Sequence, residues 1–207
     1  MRAIDNLKLS NNGHAEVLTK ELGRQLSGSG TWAAGLSAIS GYVGDTGVDT
    51  GTLRQRDGSG LSRRNLVPPG QFVTLLSAVR AEPWFDTWYT ALPVAGNPNR
   101  LVGGTLRSRM SGTAAANNVH AKTGSLTGAS ALSGYVTSAD GRLLAFSIVL
   151  NNYLTSSVKG LEDQIAIALA AYTERETAAA RRTVPAAPES PRVPEGRECS
   201  WVKPALC

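Results

Sequence analysis

Two short polar motifs in this chain contain the residue types that acyl transfer requires. Lys122-Thr123-Gly124 lies in "HAKTGSLTGASALSGYV" (120–136), which alternates like a half-buried strand. Ser10-Asn11-Asn12 lies where a loop enters a predicted helix. A surface strand with one solvated lysine would also explain the first motif, because most lysines are exposed. Neither motif is specific alone, and only their combination indicates a site.

An enzyme that acts on a peptide with a free C-terminal carboxylate needs a fixed cation, hydroxyl groups that bind the carboxylate, and a backbone N–H that stabilises the oxyanion. Lys122 supplies the cation, and Thr123 and Ser125 point to the same side of a strand because they are two residues apart. Gly124 has no side chain, so we expect the backbone to be uncrowded there. Residues 122–125 are therefore predicted to bind substrate.

Other catalytic signatures are absent from the sequence or are weak. "DGSGL" (57–61) lacks the first glycine of a nucleophile elbow, and there is no Walker loop or dinucleotide-binding turn. A Ser–His–Asp triad stays open, although nothing positions one and a structural role is expected for His120. We expect no cofactor and no metal site, since neither histidine has ligand-like spacing to Cys199 and Cys207. Those two cysteines could form a small disulfide loop or remain as two thiols.

The elements that must position these residues begin with three predicted helices. Asparagines can cap the first helix after Asn12, and glycines and serine at 28–30 end it. Apolar residues at helical spacing mark all three helices. They are Ala15, Leu18, Leu22 and Leu26 in the first, Trp32, Leu36, Ile39 and Val43 in the second, and Phe72, Leu75, Leu76 and Val79 in the third. "GGTLRSRM" (103–110) is predicted to be a short helix.

The pattern changes to a period of two from His120 onward, which predicts strands over 119–125, 129–137 and 142–150 joined by tight turns. A long helix follows, with an apolar face formed by Leu161, Ile165, Ala168, Leu169 and Tyr172. We therefore expect an α/β protein of the α+β type, with a helical part and an antiparallel sheet backed by a C-terminal helix. Residues 1–176 form the predicted domain, and the Ala/Pro/Arg-rich residues 177–207 an extended tail.

The composition is that of a soluble globular protein. The 207 residues are 42% hydrophobic and 18% charged, and the net charge of +5 is scattered, which makes nucleic acid a weak candidate partner. The sequence has no apolar run long enough to span a membrane. Its start has no signal-peptide pattern, which indicates either a cytoplasmic protein or a Met1 that is not the natural start.

Six blocks of the sequence, in order, resemble the serine-type D-alanyl-D-alanine carboxypeptidase/endopeptidase family, the class C low-molecular-mass penicillin-binding proteins. The blocks are "LKLSNNGHAEVLTKELG" (7–23), "DGSGLSRRNLV" (57–67), "LPVAG" (92–96), "GGTLRSRM" (103–110), "AKTGSLTGASALSGYV" (121–136) and "FSIVLNN" (146–152). The resemblance implies part of the transpeptidase fold shared with β-lactamases. It also implies hydrolysis of peptidoglycan stem peptides that end in D-Ala-D-Ala, with β-lactams as inhibitors.

The resemblance also implies a role for each matching residue. Ser10 would relay a proton to the leaving group, and Asn12 would hydrogen-bond the acyl side of the substrate and the lysine of the nucleophile motif. Lys122 would provide positive potential for the terminal carboxylate. Thr123 and Ser125 would bind that carboxylate, and the Ser125 N–H would be one oxyanion donor. The 57–67 block is expected to be mainly structural, with Asp57 shaping a loop near the cleft.

The nucleophilic serine of this family lies in an S-x-x-K motif well before S-x-N, which here begins at residue 10. We therefore expect the chain to be the C-terminal part of a longer, exported protein, and by itself to be inactive and not labelled by penicillin. The string Ser156-Ser157-Val158-Lys159 comes after K-T-G, so we interpret it as unrelated, with a serine capping the last helix. An exposed sheet edge and apolar face are expected to cause aggregation. A β-lactamase fragment and a non-catalytic protein that binds cell-wall peptide or β-lactam are the alternatives.

Overall fold

The computed structural model describes residues 7–174, so the predicted tail and both cysteines lie outside the described residues. Besides a helical turn at residues 7–9, six α-helices and three strands lie within these residues. The helices are α1 (Asn12–Ser27), α2 (Trp32–Asp45), α3 (Pro69–Ala78), α4 (Phe85–Ala91), α5 (Arg100–Gly103) and α6 (Lys159–Ala171). The strands are β1 (His120–Leu126), β2 (Ala129–Thr137) and β3 (Leu143–Asn151). Short 3₁₀ helices lie at Thr50–Thr52, Val79–Ala81 and Gly104–Leu106.

Helix α1 begins as the sequence predicts, but its apolar stripe does not pack inward. The Asn11 side chain accepts the N–H of His14 at 3.0 Å, and Gly28 ends the helix with φ +73°. The side of α1 that faces α2 carries small residues instead: a Cβ on Gly35 would lie 1.9 Å from the carbonyl oxygen of Thr19. This close approach turns the predicted stripe outward, so that Leu22 and Leu26 are 43% and 71% exposed. The apolar stripe that marks this helix in the sequence is therefore not its buried side.

The sheet is an antiparallel meander in the order β1-β2-β3, as predicted. Its strands begin and end within one residue of the predicted limits, because the alternating pattern is interrupted by Gly128 and Gly141, both at positive φ. In the β1–β2 register, Lys122 lies opposite Ser133 and Gly124 opposite Ala131. The predicted fold class, a helical part with an antiparallel sheet backed by a C-terminal helix, is confirmed.

Both faces of the sheet are covered by helices. One face packs on α6 through a cluster that includes Ala121, Leu132, Val136, Phe146, Ala166 and Ala170. The other face packs on α3 and α4 through Leu76, Leu92 and Tyr135, with Phe85, Trp88 and Tyr89 around them. Tyr135 is fully buried, and its hydroxyl donates to the carbonyl oxygen of Leu76 at 2.8 Å. This packing holds β1, which carries the K-T-G motif, in a fixed layer.

Helix α6 is rotated relative to the prediction. Its buried residues are Glu162, Ala166 and Ala170, whereas Leu161 and Ile165 are 48% and 37% exposed. The Arg109 guanidinium contacts the Glu162 carboxylate at 2.9 Å and the carboxylate of the next residue at 2.7 Å, which fixes the helix in this orientation. The capping position is occupied by Val158, and the Ser157 hydroxyl accepts the Lys159 N–H at 3.3 Å from the preceding turn.

Candidate active site

The structure brings the two sequence motifs into direct contact. The Lys122 ammonium on β1 donates to the Ser10 hydroxyl at 2.7 Å and to the carbonyl oxygen of Thr123 at 2.7 Å. Ser10 lies between a helical turn at residues 7–9 and α1, with φ +54°. Asn12 is exposed in the first turn of α1, and its side chain makes no hydrogen bond to the other described residues. Ser10 and Lys122 therefore form the centre of the candidate site, and Asn12 lies at its margin.

The turn that carries Ser10 is held from two sides. The side chain of Lys8 is buried, and its ammonium donates to the carbonyl oxygen of Leu92. Residues that follow Leu92 pair with the start of β1, since the Ala121 N–H donates to the Pro93 carbonyl oxygen at 3.0 Å. From the other side, Gly104 approaches so closely that its Cβ would lie 2.2 Å from the Lys8 carbonyl oxygen. These contacts fix Ser10 relative to Lys122.

Burial shapes the electrostatics of the site. Desolvation lowers the pKa of Lys122 and also the pKa of Lys8, because the charged ammonium is disfavoured away from water. Within residues 7–174, no carboxylate forms an ion pair with either lysine. His120 stacks on Tyr89 with ring centroids 4.1 Å apart, and burial lowers the pKa of the imidazole. The described part of the site is thus cationic and suited to an anionic ligand.

Thr123 and Ser125 lie on one side of β1, as their spacing predicts. The Thr123 hydroxyl is 3.0 Å from the hydroxyl of Thr105, a residue that sequence reasoning placed in a short helix and did not assign to the site. The only sequence signal was its position directly after the glycines at 103 and 104. The backbone at Gly124 is uncrowded, as expected, but the structure shows no steric requirement for glycine there, since a Cβ would contact the Ala131 Cβ at an ordinary 3.5 Å.

The 57–67 loop is tied together by two carboxylates. Asp57 accepts the N–H groups of Gly60 and Ser62 at 2.8 and 2.6 Å, and Glu16 on α1 accepts the N–H groups of the two residues after Asp57. The Arg63 guanidinium donates to the Thr127 carbonyl oxygen at 2.8 Å, which joins the loop to the β1–β2 turn. The loop therefore has the structural arrangement expected of it.

Two further features concern ligands. A cavity of about 640 Å³ lies between the 57–67 loop and the β1–β2 turn, and Ser10 and Lys122 do not line it. Among residues 7–174, no group of three or more His, Cys, Asp or Glu side chains could hold a metal ion.

No helix within residues 7–174 is long and apolar enough to cross a membrane.

The fold resembles that of several solved structures. The crystal structure of penicillin binding protein 4 (dacB) from Haemophilus influenzae matches with a TM-score of 0.67 and 30% identity. The match covers 75% of this chain and 34% of that one. The same protein complexed with a novel β-lactam gives a TM-score of 0.69 at 28% identity, over 80% of this chain and 39% of that one. The TLA-3 extended-spectrum β-lactamase, at 15% identity and a TM-score of 0.54, shares the fold. The fold is that of penicillin-binding proteins and β-lactamases.

Sequence comparison gives the family. The D-Ala-D-Ala carboxypeptidase 3 (S13) family profile matches residues 4–173, and the chain belongs to this family. A D-alanyl-D-alanine carboxypeptidase of Actinomadura sp. (strain R39) is 46% identical over 204 residues, which are 95% of this chain and 36% of that protein. The chain spans about a third of the length of the curated relatives it matches. The resemblance found in the sequence is confirmed, and the family match favours a peptidase over a β-lactamase.

Proposed function

We propose that this chain forms the carboxylate-binding and proton-relay side of a serine-type D-Ala-D-Ala carboxypeptidase/endopeptidase that acts on peptidoglycan stem peptides. The observation that carries the proposal is the 2.7 Å contact between the Lys122 ammonium and the Ser10 hydroxyl. A cation that holds a serine hydroxyl can both attract an anionic peptide terminus and direct a proton. Support for the substrate class comes from the family and from the names of the relatives.

In the proposed mechanism, the terminal carboxylate of the substrate binds between the Lys122 ammonium and the hydroxyls of Thr123 and Ser125. Gly124 leaves this part of β1 without a side chain, and the Ser125 N–H serves as one oxyanion donor. The Ser10 hydroxyl, oriented by Lys122, passes a proton to the leaving D-alanine amine as the acyl bond breaks. Asn12 would contact the acyl side of the substrate.

The acyl-enzyme step requires a nucleophilic serine from an S-x-x-K motif. Among the described residues, no serine with a lysine three positions later hydrogen-bonds to Ser10 or Lys122. The side-chain hydrogen bonds of the 156–159 string lie within its own turn, and the Lys159 carbonyl oxygen accepts from Arg109, so none of its bonds reaches Ser10 or Lys122. We therefore propose that the motif belongs to another part of the longer exported protein, and that this chain alone binds the substrate class without turning it over. β-Lactams, which carry a comparable carboxylate, would bind the same groups.

The direct test is to measure how tightly this chain binds N-acetyl-D-Ala-D-Ala and the C-terminal amide of that peptide. Binding is monitored through the ¹⁵N NMR signals of Gly124 and Ser125. We expect the acid to bind more tightly than the amide, and Lys122→Met to abolish the difference. Lys159→Met is the matched control, because Lys159 is exposed and remote from the K-T-G strand in sequence. Equal affinity of the unaltered chain for acid and amide would refute the carboxylate site.

Two further readouts test the chemistry. Since burial lowers the pKa of Lys122, the preference for the acid should be present at neutral pH. It should disappear as the pH rises through that lowered pKa, before exposed lysines lose their charge. After incubation with benzylpenicillin, the intact mass of the chain should be unchanged. A stoichiometric penicilloyl adduct would contradict the assignment of the nucleophile to another part of the protein.

A further inference from the structure

Thr105 is a hydroxyl-bearing residue at the site to which neither the sequence motifs nor the proposed mechanism assigns a role. It lies in the 3₁₀ helix Gly104–Leu106, it is exposed, and its Oγ1 atom is 3.0 Å from Oγ1 of Thr123. Its side chain makes no other hydrogen bond within residues 7–174. The two hydroxyls therefore form an isolated pair beside the strand that carries Lys122.

The backbone around Thr105 is fixed by close contacts. The missing Cβ of Gly103 would lie 2.0 Å from the carbonyl oxygen of Asn97, and that of Gly104 would lie 2.2 Å from the carbonyl oxygen of Lys8. Beyond the turn, Arg109 is paired with the buried Glu162 of α6. A backbone held in this way places Thr105 in advance, so binding a ligand there costs little backbone conformational entropy.

The number of available hydrogens decides what the pair of hydroxyls can bind. A carboxylate only accepts hydrogen bonds, and each threonine hydroxyl has one hydrogen to donate. In the structure one of these two hydrogens is used between the hydroxyls. Two of the three Lys122 hydrogens are already directed to Ser10 and to the Thr123 carbonyl oxygen. An anion at this position would therefore gain most from hydroxyls that can both turn toward it.

We propose that Thr105 is a further substrate-binding residue, which donates its O–H to the terminal carboxylate beside Thr123. When the ligand binds, the one hydrogen bond between the two hydroxyls is replaced by two O–H···O⁻ hydrogen bonds, one to each carboxylate oxygen. Hydrogen bonds to a charged acceptor are stronger than those between neutral groups, so the exchange favours binding. This inference rests on the proposed function, because it concerns the same carboxylate.

The experiment compares the affinities of N-acetyl-D-Ala-D-Ala and its C-terminal amide for Thr105→Val and Thr105→Ser. Thr105→Val should weaken binding of the acid by about tenfold and leave the amide nearly unchanged. Thr105→Ser should restore the affinity for the acid, since it retains the hydroxyl. Thr87→Val is the control, because Thr87 is an exposed threonine on α4 whose hydroxyl makes no hydrogen bond in the described structure.

A double-mutant cycle with Thr123→Val separates direct binding from an orienting role. If Thr105 donates to the carboxylate itself, Thr105→Val should weaken acid binding in the Thr123→Val background as well. If Thr105→Val has no effect in that background, Thr105 acts only by orienting Thr123, and the proposal is overturned. If Thr105→Val prefers the acid over the amide as strongly as the unaltered chain does, the proposal for Thr105 is overturned and the proposed function stands. If the unaltered chain itself shows no preference for the acid, both the proposal for Thr105 and the proposed function are refuted.

Discussion

Replacing Gly104 with alanine is the sharpest test of how the Ser10 turn is held. Gly104 has φ +54° and ψ −125°, a conformation that residues with a Cβ rarely adopt. An added Cβ would lie 2.2 Å from the Lys8 carbonyl oxygen and 2.9 Å from the Lys8 carbonyl carbon. Both atoms belong to the backbone, so no side-chain rotation can relieve the overlap. The turn two residues before Ser10 would have to move.

The expected cost has two parts. A positive φ in a residue with a Cβ costs about 1–2 kcal/mol. Forcing a methyl group into a filled space costs about 1–3 kcal/mol more, so Gly104→Ala should lower the free energy of unfolding by about 2–5 kcal/mol. Gly112→Ala is the matched control: Gly112 has φ +70°, but its Cβ would meet nothing within 4 Å. That control should show only the backbone part, about 1–2 kcal/mol.

Urea unfolding of the three proteins, followed by circular dichroism and extrapolated linearly to water, measures both effects. If Gly104→Ala is no less stable than Gly112→Ala, the close contact with Lys8 does not hold the turn, and the reasoning is wrong. Preference for the acid ligand over the amide gives a second readout. We expect Gly104→Ala to lose this preference and Gly112→Ala to retain it.

Three other changes test the fold around the site. Hydrogen bonds, above all from the Ser59 hydroxyl, lower the pKa of Glu16 to about 2. The contribution of Glu16 to stability should be present above about pH 4.5 and lost as the pH falls toward 2. The urea midpoint of Glu16→Gln should therefore depend less on pH over that range than the midpoint of the unaltered protein. The same pH dependence in both proteins would contradict this. Tyr135→Phe removes a buried hydrogen bond and should lower the free energy of unfolding by about 1–2 kcal/mol in the same assay, and an unchanged value would count against the bond. The double variant Leu161→Gln, Ile165→Gln should aggregate less in light scattering and keep the same thermal midpoint, because both side chains are exposed. A lower thermal midpoint would show that the two side chains are buried.

The sheet was the part of the fold most accessible from the sequence. Its strands alternate with a period of two, and glycines at positive φ mark both turns, so local signals were enough to place all three strands. Hydrogen bonding and packing within a meander involve neighbours in the sequence. A pattern read along the chain therefore also gives the strand order.

The site was accessible only in part, because it depends on contacts between distant residues. Ser10 and Lys122 are 112 residues apart, and no spacing rule brings them together. Family resemblance selected both residues, and the structure places them in contact. Thr105 escaped notice because its role depends on the approach of Gly104 to Lys8, which only the folded backbone shows.

The apolar faces that the sequence indicates for α1 and α6 are not the buried ones, and one physical explanation covers both helices. Apolar periodicity predicts that a helix face is buried but does not identify the element that covers it. In α1, the backbone contact at Gly35 determines the inward side, and in α6 the ion pair of Glu162 with Arg109 does so. The leucines of α1, and Leu161 and Ile165 of α6, remain exposed within residues 7–174. Since the relatives are about three times as long, we expect such stripes to be protected from hydrogen exchange in a protein of the relatives' length and not in this chain. Equal protection in both proteins would show that these faces have no further partner.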